Sequence, residues 1–471
     1  MIGRLALRSL TAHPVRSAVL AAGFGVGVAV MAILLGVAEV VLDQARAPAL
    51  VGGGDVIVRL GREVPARVLL AGTLQSDALR PRVRVAAPSH TRELYLVRDT
   101  GTAIPVSARG GIPSLERALG DEETGRIDAW RDSPADLAWT QATPAQVLRY
   151  IDRFHPIPDV PRWADSWAEW LYFNGRSAGT SATAGAPADA RFYLTFLVGP
   201  RSPRGLRPAA VRLQLERNGR VESYGAAAEL TDEQVERAPD LDIGATSVRL
   251  EGMQYRIRLD VADARGRRAT GTLMLEGAPG RLVPPVEIAG AGGWRTGYVV
   301  PVMGGRLTGT ITAGGQPVAF DGGSGYHDHN WGFWEGVSWQ WGQAHQGDLS
   351  VLYGRVFAPA DAADADRIPA FVGVLGADGP LGYATSVVIT ETNDAAGQPQ
   401  TITVRGRGPA VDITLRFDVE SAETTRMAEG PLGSDLDFLQ MRGAYRVTGR
   451  AGSRDIDFTA PGAAETFRGG P

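Results

Sequence analysis

The 471-residue chain reads as mainly β: two antiparallel barrels or sandwiches in tandem, behind one membrane helix and a small α+β spacer. Three observations carry that expectation. From about residue 165 onward, β-formers alternate or cluster in short runs such as RFYLTFLV, VRLQLE, SVRLEGMQYRIRLDV, SVLYGRVFA, DITLRFDVE and GAYRVTGRA. Turn signals separate them, at Asn218-Gly219, Gly314-Gly315 and Asp378-Gly379. Helix signals are few over the same length. So much strand exceeds one small barrel, which favours two; a single large β-domain is the alternative, and no short-period propeller repeat is present.

The elements follow in order. Residues 1–45 form a tail and anchor: no charged residue occurs from Ser17 to Ala38, a run long enough to cross a bilayer as one helix. Its glycines (Gly23, Gly25, Gly27, Gly36) suit a membrane helix better than a soluble one. Arg4, Arg8 and Arg16 precede it, so the positive-inside rule leaves the tail in the cytoplasm and the bulk of the chain on the periplasmic side of the inner membrane. The Ala45-Arg46-Ala47 triplet is followed by Pro48, which disfavours cleavage. Residues 46–160 form the spacer. There, Ser133-Pro134-Ala135-Asp136 and Thr143-Pro144-Ala145-Gln146 carry the hydroxyl, proline and acid or amide of helix starts. Residues 161–300 and 301–471 form the two β-domains.

Composition limits the partners. The net charge is −4 and the pI about 6.0, which argues against nucleic acid. Every basic side chain is arginine, so lysine Schiff-base and phosphate-loop chemistry is excluded. Cysteine is absent, excluding thiol nucleophiles, disulfides and cysteine-ligated metals.

The functional signal is GYHDHNWGFW at 325–334, with WQWGQAH at 339–345. The first stretch holds two of six histidines and two of ten tryptophans around Asp328. If extended, Tyr326, Asp328 and Asn330 share one face, and His327, His329 and Trp331 the other. Trp339, Trp341, Gln343 and His345 likewise share a face. An inner barrel face of this kind suits a large apolar ligand oriented by a few hydrogen bonds. Tryptophan-rich strands also serve simply as core, and a His-Asp-His run can lock a corner. His327, His329 and His345 are a conceivable metal set, but no carboxylate pair or helical His-x-x-x-His accompanies them, so no metal or other cofactor is expected.

Two resemblances add to this. LALRSLTAHPVRSAVLAAGFGVGVAVMAILLGV, followed by LVGGGDVIV, resembles the first membrane helix of permease subunits of macrolide-exporter and lipoprotein-releasing ABC transporters, over about the first 60 residues. No second long apolar run follows, so a complete permease is excluded, and a relic anchor or a partner of ABC transporter subunits is what it implies. GYHDHNWG resembles the signature of the carotenoid 1,2-hydratase (hydroxyneurosporene synthase) family, the AttH-type proteins built as two tandem lipocalin-like β-barrels. Trp167-Ala168-Glu169-Trp170-Leu171-Tyr172-Phe173 resembles that family's Glu-Trp-Trp-Tyr-Phe strand, with leucine for one tryptophan. The likeness spans about residues 165–471.

This second resemblance implies acid-catalysed hydration, or cyclisation, of a C=C bond in an isoprenoid or lipid. A proton reaches the olefin, and water captures the tertiary carbocation. Asp328, if buried among Tyr326, Trp331 and Trp334, is the leading acid, since apolar surroundings raise a carboxyl's pKa. Glu169 is the second candidate, and His327 or His329 would position the water. Trp331, Trp339 and Trp341 would stabilise the cation by ~2 kcal/mol each where desolvated. Trp170, Tyr172, Trp334, His345 and Tyr353 complete the expected ligand-facing set. The family pattern also places an acid in a Tyr-x-Asp triplet, where this chain has Tyr353-Gly354-Arg355, and an arginine cannot donate that proton. A non-catalytic carrier of an apolar molecule is the alternative function.

Overall fold

The computed structural model describes residues 80–97, 103–120, 129–134, 143–178, 190–217, 219–395, 397–426 and 436–469, with isolated positions before residue 137. The apolar run 17–38 and its flanking arginines Arg4, Arg8 and Arg16 lie outside these residues. Among the described residues, no helix is long and apolar enough to cross a membrane.

The chain divides into two compact units. The first, residues 1–60 and 85–138, contains an antiparallel hairpin of Ser89–Val97 with Ala103–Gly111, followed by the helix Pro113–Leu119. The second, residues 61–84 and 139–471, contains both β-domains. The expected spacer at 46–160 is therefore not one piece, because its helix Pro144–Ile151 belongs with the barrels. That helix starts where the sequence signals it: Thr143 and Gln146 form a reciprocal capping box, with proline in the first turn. Val147, Leu148 and Ile151 bury its apolar face. Thr143→Ala should cost about 1 kcal/mol of stability, read as a lower midpoint in chemical denaturation with unchanged slope.

Every alternating run named above falls in a strand, except SVRLEGMQYRIRLDV, which forms the hairpin of Thr246–Glu251 with Gln254–Ala262. In the first barrel Trp167–Arg176, Ala190–Val198, Arg207–Arg217 and Arg220–Leu230 follow one another as a meander. Gln254–Ala262, Arg268–Glu276, Arg295–Ala313 and Gly323–Phe333 continue the sheet back to Trp167–Arg176, closing an eight-membered ring. The second sheet has nine strands between Ser338 and Gly469, in up-and-down order apart from the return of Arg454–Gly469 beside Ser338–Gln346. Its edge strands, Gly379–Ala384 and Ser386–Asn393, are consecutive in sequence. Two antiparallel, barrel-like sheets in tandem are thus present. The change of sheet falls between Phe333 and Ser338 rather than at 300/301, because Arg295–Ala313 and Gly323–Phe333 complete the first ring. The signature stretch consequently belongs to the first barrel.

Candidate functional site between the barrels

Alternation along two neighbouring strands builds the site. Gly323–Phe333 pairs with Trp167–Arg176 so that His327 lies opposite Phe173, Asp328 opposite Tyr172 and His329 opposite Leu171. Odd positions of both strands point into the first barrel. Even positions, Trp170, Tyr172, Asp328 and Asn330 among them, point at the second barrel and line a cavity of about 780 Å³.

The inward face holds a buried charge network. His327 Nε2 is 3.0 Å from Asp152 Oδ2, and its Nδ1 is 3.0 Å from the Tyr172 carbonyl oxygen. Tyr255 donates to the same Asp152 oxygen at 2.6 Å. His329 lies between two acids, with Nε2 2.8 Å from Glu169 Oε1 and Nδ1 3.2 Å from Asp152 Oδ1. Glu169 Oε1 also contacts His155 Nδ1 at 2.7 Å, and the His155 backbone N–H donates to that carboxylate. Burial alone would raise Asp152, but His327 and His329 outweigh it and hold the carboxyl at about 2. Glu169 is likewise held below its ordinary range, burial being overcome by His155 and His329. Burial would lower His329, yet its bonds and charge attraction to Asp152 and Glu169 raise it to about 9. His329 is thus an imidazolium between two carboxylates.

This placement corrects three expectations. Glu169 is fully buried, ionised and turned away from the cavity, so it cannot be the proton donor. His327 and His329 face the same interior and do not border the cavity, so neither positions a water there. Trp331 stacks on His155 with ring centroids 4.2 Å apart, also inside the barrel. It fits because residue 297 opposite is glycine; a Cβ there would lie 2.1 Å from the indole.

Two more residues part from the cavity. Tyr353 packs in the core of the second barrel, its hydroxyl 3.5 Å from that of Tyr445. His345 shares a face with Trp339 and Trp341 but sits farther along it, in a separate cleft, bonded to Ser350 at 2.9 Å. The metal set suggested by His327, His329 and His345 is therefore not assembled. Among the described residues, the side chains that come within metal-binding range of one another are His155, Glu169 and His329, all buried.

The cavity itself is aromatic with a polar floor. Trp170, Trp334 and Trp339 form one cluster, with centroids 4.6 to 6.2 Å apart, and Tyr172 meets Trp341 edge-on at 6.0 Å. Asp328 accepts from Tyr326 at 2.9 Å and from Asn330 at 2.9 Å. Tyr326 bonds Tyr298 at 2.6 Å, and Trp341 donates to Tyr298 at 3.0 Å. A second carboxyl, Glu465, accepts from Trp339 at 3.0 Å and from Gln440 at 3.2 Å. Burial and the nearby Glu465 push Asp328 well above the carboxylate range, against the opposing bonds from Tyr326 and Asn330. Burial raises Glu465 as well. The expected residues Asp328, Trp170, Tyr172, Trp334, Trp339 and Trp341 thus do come together, with Tyr326 behind Asp328.

Sequence reasoning missed Asp152, His155, Tyr298, Gln440 and Glu465. For the first two a signal existed, an acid and an imidazole three apart directly after a capped helix.

No family model matches the chain, and no curated protein matches it. Among solved structures it is similar to a protein described as an AttH from Nitrosomonas europaea, at 16% identity and TM-score 0.42, over 64% of this chain and 92% of that one. It is similar to kievitone hydratase from Nectria haematococca, at 13% identity and TM-score 0.43, over 68% and 96%. A third is CghA with Sch210972, at 14% identity and TM-score 0.41, over 68% and 95%.

Proposed function

We propose that this chain is a lipocalin-like enzyme of the carotenoid 1,2-hydratase type, acting on an isoprenoid or lipid held between its barrels. The observation that carries the reading is Asp328: a carboxyl kept protonated by burial, on the wall of a large aromatic cavity. Asp328 passes its proton to one carbon of a C=C bond, leaving a tertiary carbocation and the Asp328 carboxylate. Trp170, Trp334, Trp339 and Trp341 offer π-faces to that charge. Water adds through oxygen, and its surplus proton returns to Asp328. In the cyclising variant a second C=C captures the cation, and the proton is lost from the adjacent carbon instead.

The test is to incubate the full chain with a membrane lipid extract, repurify it, and analyse what it retains by mass spectrometry. A retained isoprenoid accompanied by a species heavier by one water supports the enzyme. Recovery of an unchanged lipid alone supports a carrier, the reading favoured by Arg355, a cavity-lining arginine where the family resemblance calls for an acid. Under either reading Trp341→Ala should weaken ligand binding about tenfold or more, a loss of ~1.4 kcal/mol, measured by tryptophan-quenching titration.

The membrane placement is part of the proposal. The uncharged run 17–38 anchors the chain in the inner membrane with its barrels on the periplasmic side, where ABC transporter subunits are the candidate partners. Protease digestion of spheroplasts tests it: barrels that survive intact would place them in the cytoplasm instead.

A further inference from the structure

A second cleft, of about 290 Å³, lies along the same inter-barrel seam. Asn174, Arg191, Tyr326, Gln343 and His345 line it, and Ser324, Gln346 and Thr459 on its rim are exposed. On four strands the cleft residue stands two positions from a cavity residue: Asn174 beside Tyr172, Tyr326 beside Asp328, Gln343 beside Trp341, and Ala463 beside Glu465. Two residues of extended strand span about 7 Å, so one layer of side chains separates the two spaces. Tyr193 borders both.

That layer is polar and imperfectly bonded. Gln343 Nε2 reaches Asn174 Oδ1 at 3.4 Å, a long bond between the barrels. Asn174 is 8% exposed, and its buried Nδ2 makes no close hydrogen bond, only a looser one toward the Tyr172 hydroxyl. Such a donor is what a resident or passing water satisfies. Tyr326 belongs to the cleft, yet its hydroxyl donates to Asp328 at 2.9 Å.

Hydration consumes one water per turnover, while an apolar ligand filling the aromatic cavity displaces water from it. We propose that the second cleft is the water inlet of the site, admitting water past Asn174 and Gln343 and linking Asp328 to solvent protons through Tyr326. This rests on the acid reading of Asp328. Ligand and water then enter from different ends of the seam. Tyr326 acts as a relay in both directions: it takes up the Asp328 proton as its own hydroxyl proton leaves to a cleft water, and a solvent proton returns to Asp328 by the reverse path.

The test needs no substrate. The chain lacks cysteine, so Arg212→Cys, at an exposed cavity-lining position, gives a single thiol through which pyrene maleimide caps the cavity. The full chain is moved from H2O to D2O, and infrared spectroscopy follows the carboxylic-acid C=O band that Asp328→Asn removes. Capped protein should exchange that proton nearly as fast as uncapped protein. Adding Gln343→Met and Asn174→Leu to it should slow exchange about tenfold, ~1.4 kcal/mol on the barrier. Gln343→Met alone serves if thermal melting shows the pair unfolded. Exchange stopped by the cap, or indifferent to the cleft substitutions, overturns the inlet. Absence of an Asp328 band overturns the acid reading and the inlet with it. Cleft-dependent exchange in a protein that forms no hydrate upholds the inlet while the hydration reading fails.

Discussion

Asp328→Asn is expected to abolish proton transfer while leaving the fold and ligand binding intact. The loss in turnover should be about 10²–10⁴-fold, the usual weight of a positioned general acid. The amide retains both neighbours, since Asn330 can donate to its oxygen while its NH2 donates to the Tyr326 hydroxyl, which in turn donates to Tyr298. Stability should rise. A carboxyl whose folded pKa lies above its unfolded value costs stability once the pH passes the unfolded value near 4, and the cost grows until the folded pKa is reached. At neutral pH the aspartate carries that cost and asparagine does not. A higher melting temperature together with lost turnover would mark Asp328 as retained for chemistry. Lost turnover with a lower melting temperature would reduce it to a packing residue.

The fold was legible because its signal is local. Period-two alternation and glycine turns recur through the whole region after residue 165, and each marked a real strand or hairpin. Alternation also separated the two faces of GYHDHNWG correctly, Asp328 on one and the histidines on the other. What the sequence does not encode locally is which face meets which space. Both strand faces are buried here, one by the first barrel's own interior and one by the second barrel, so burial could not tell the catalytic candidate from the structural ones. His327, His329 and Glu169 look like site residues for that reason. Glu465 was missed because it approaches Asp328 only after the second sheet returns Arg454–Gly469 beside Ser338–Gln346. The barrel boundary failed similarly: the first ring closes through strands that follow residue 294, and ring closure is a long-range property.

His329→Ala is the complementary experiment, and its expected effect is on stability. The substitution leaves Asp152 and Glu169 as buried carboxylates without the imidazolium between them, which should cost about 3–5 kcal/mol, a large share of a typical domain's 5–15 kcal/mol. The native pH profile carries the same signature. Asp152 titrates near 2 when folded, below its ordinary 3.8, so its contribution is present above about pH 4 and lost as the pH falls through 2. His329 titrates near 9, above its ordinary 6.5, so its contribution is complete below 6.5 and lost as the pH rises through 9. Stability from this network should therefore be greatest between about pH 4 and 6.5. Its alkaline decline should disappear in His329→Gln. Pairing His329→Gln with Asp152→Asn should recover part of the loss, because the second change removes a buried carboxylate that the first leaves with His327 as its remaining imidazole partner. If His329 instead served the chemistry, His329→Gln would lose turnover with the melting temperature and its pH profile unmoved, and the separation of the two faces of this strand would have to be redrawn.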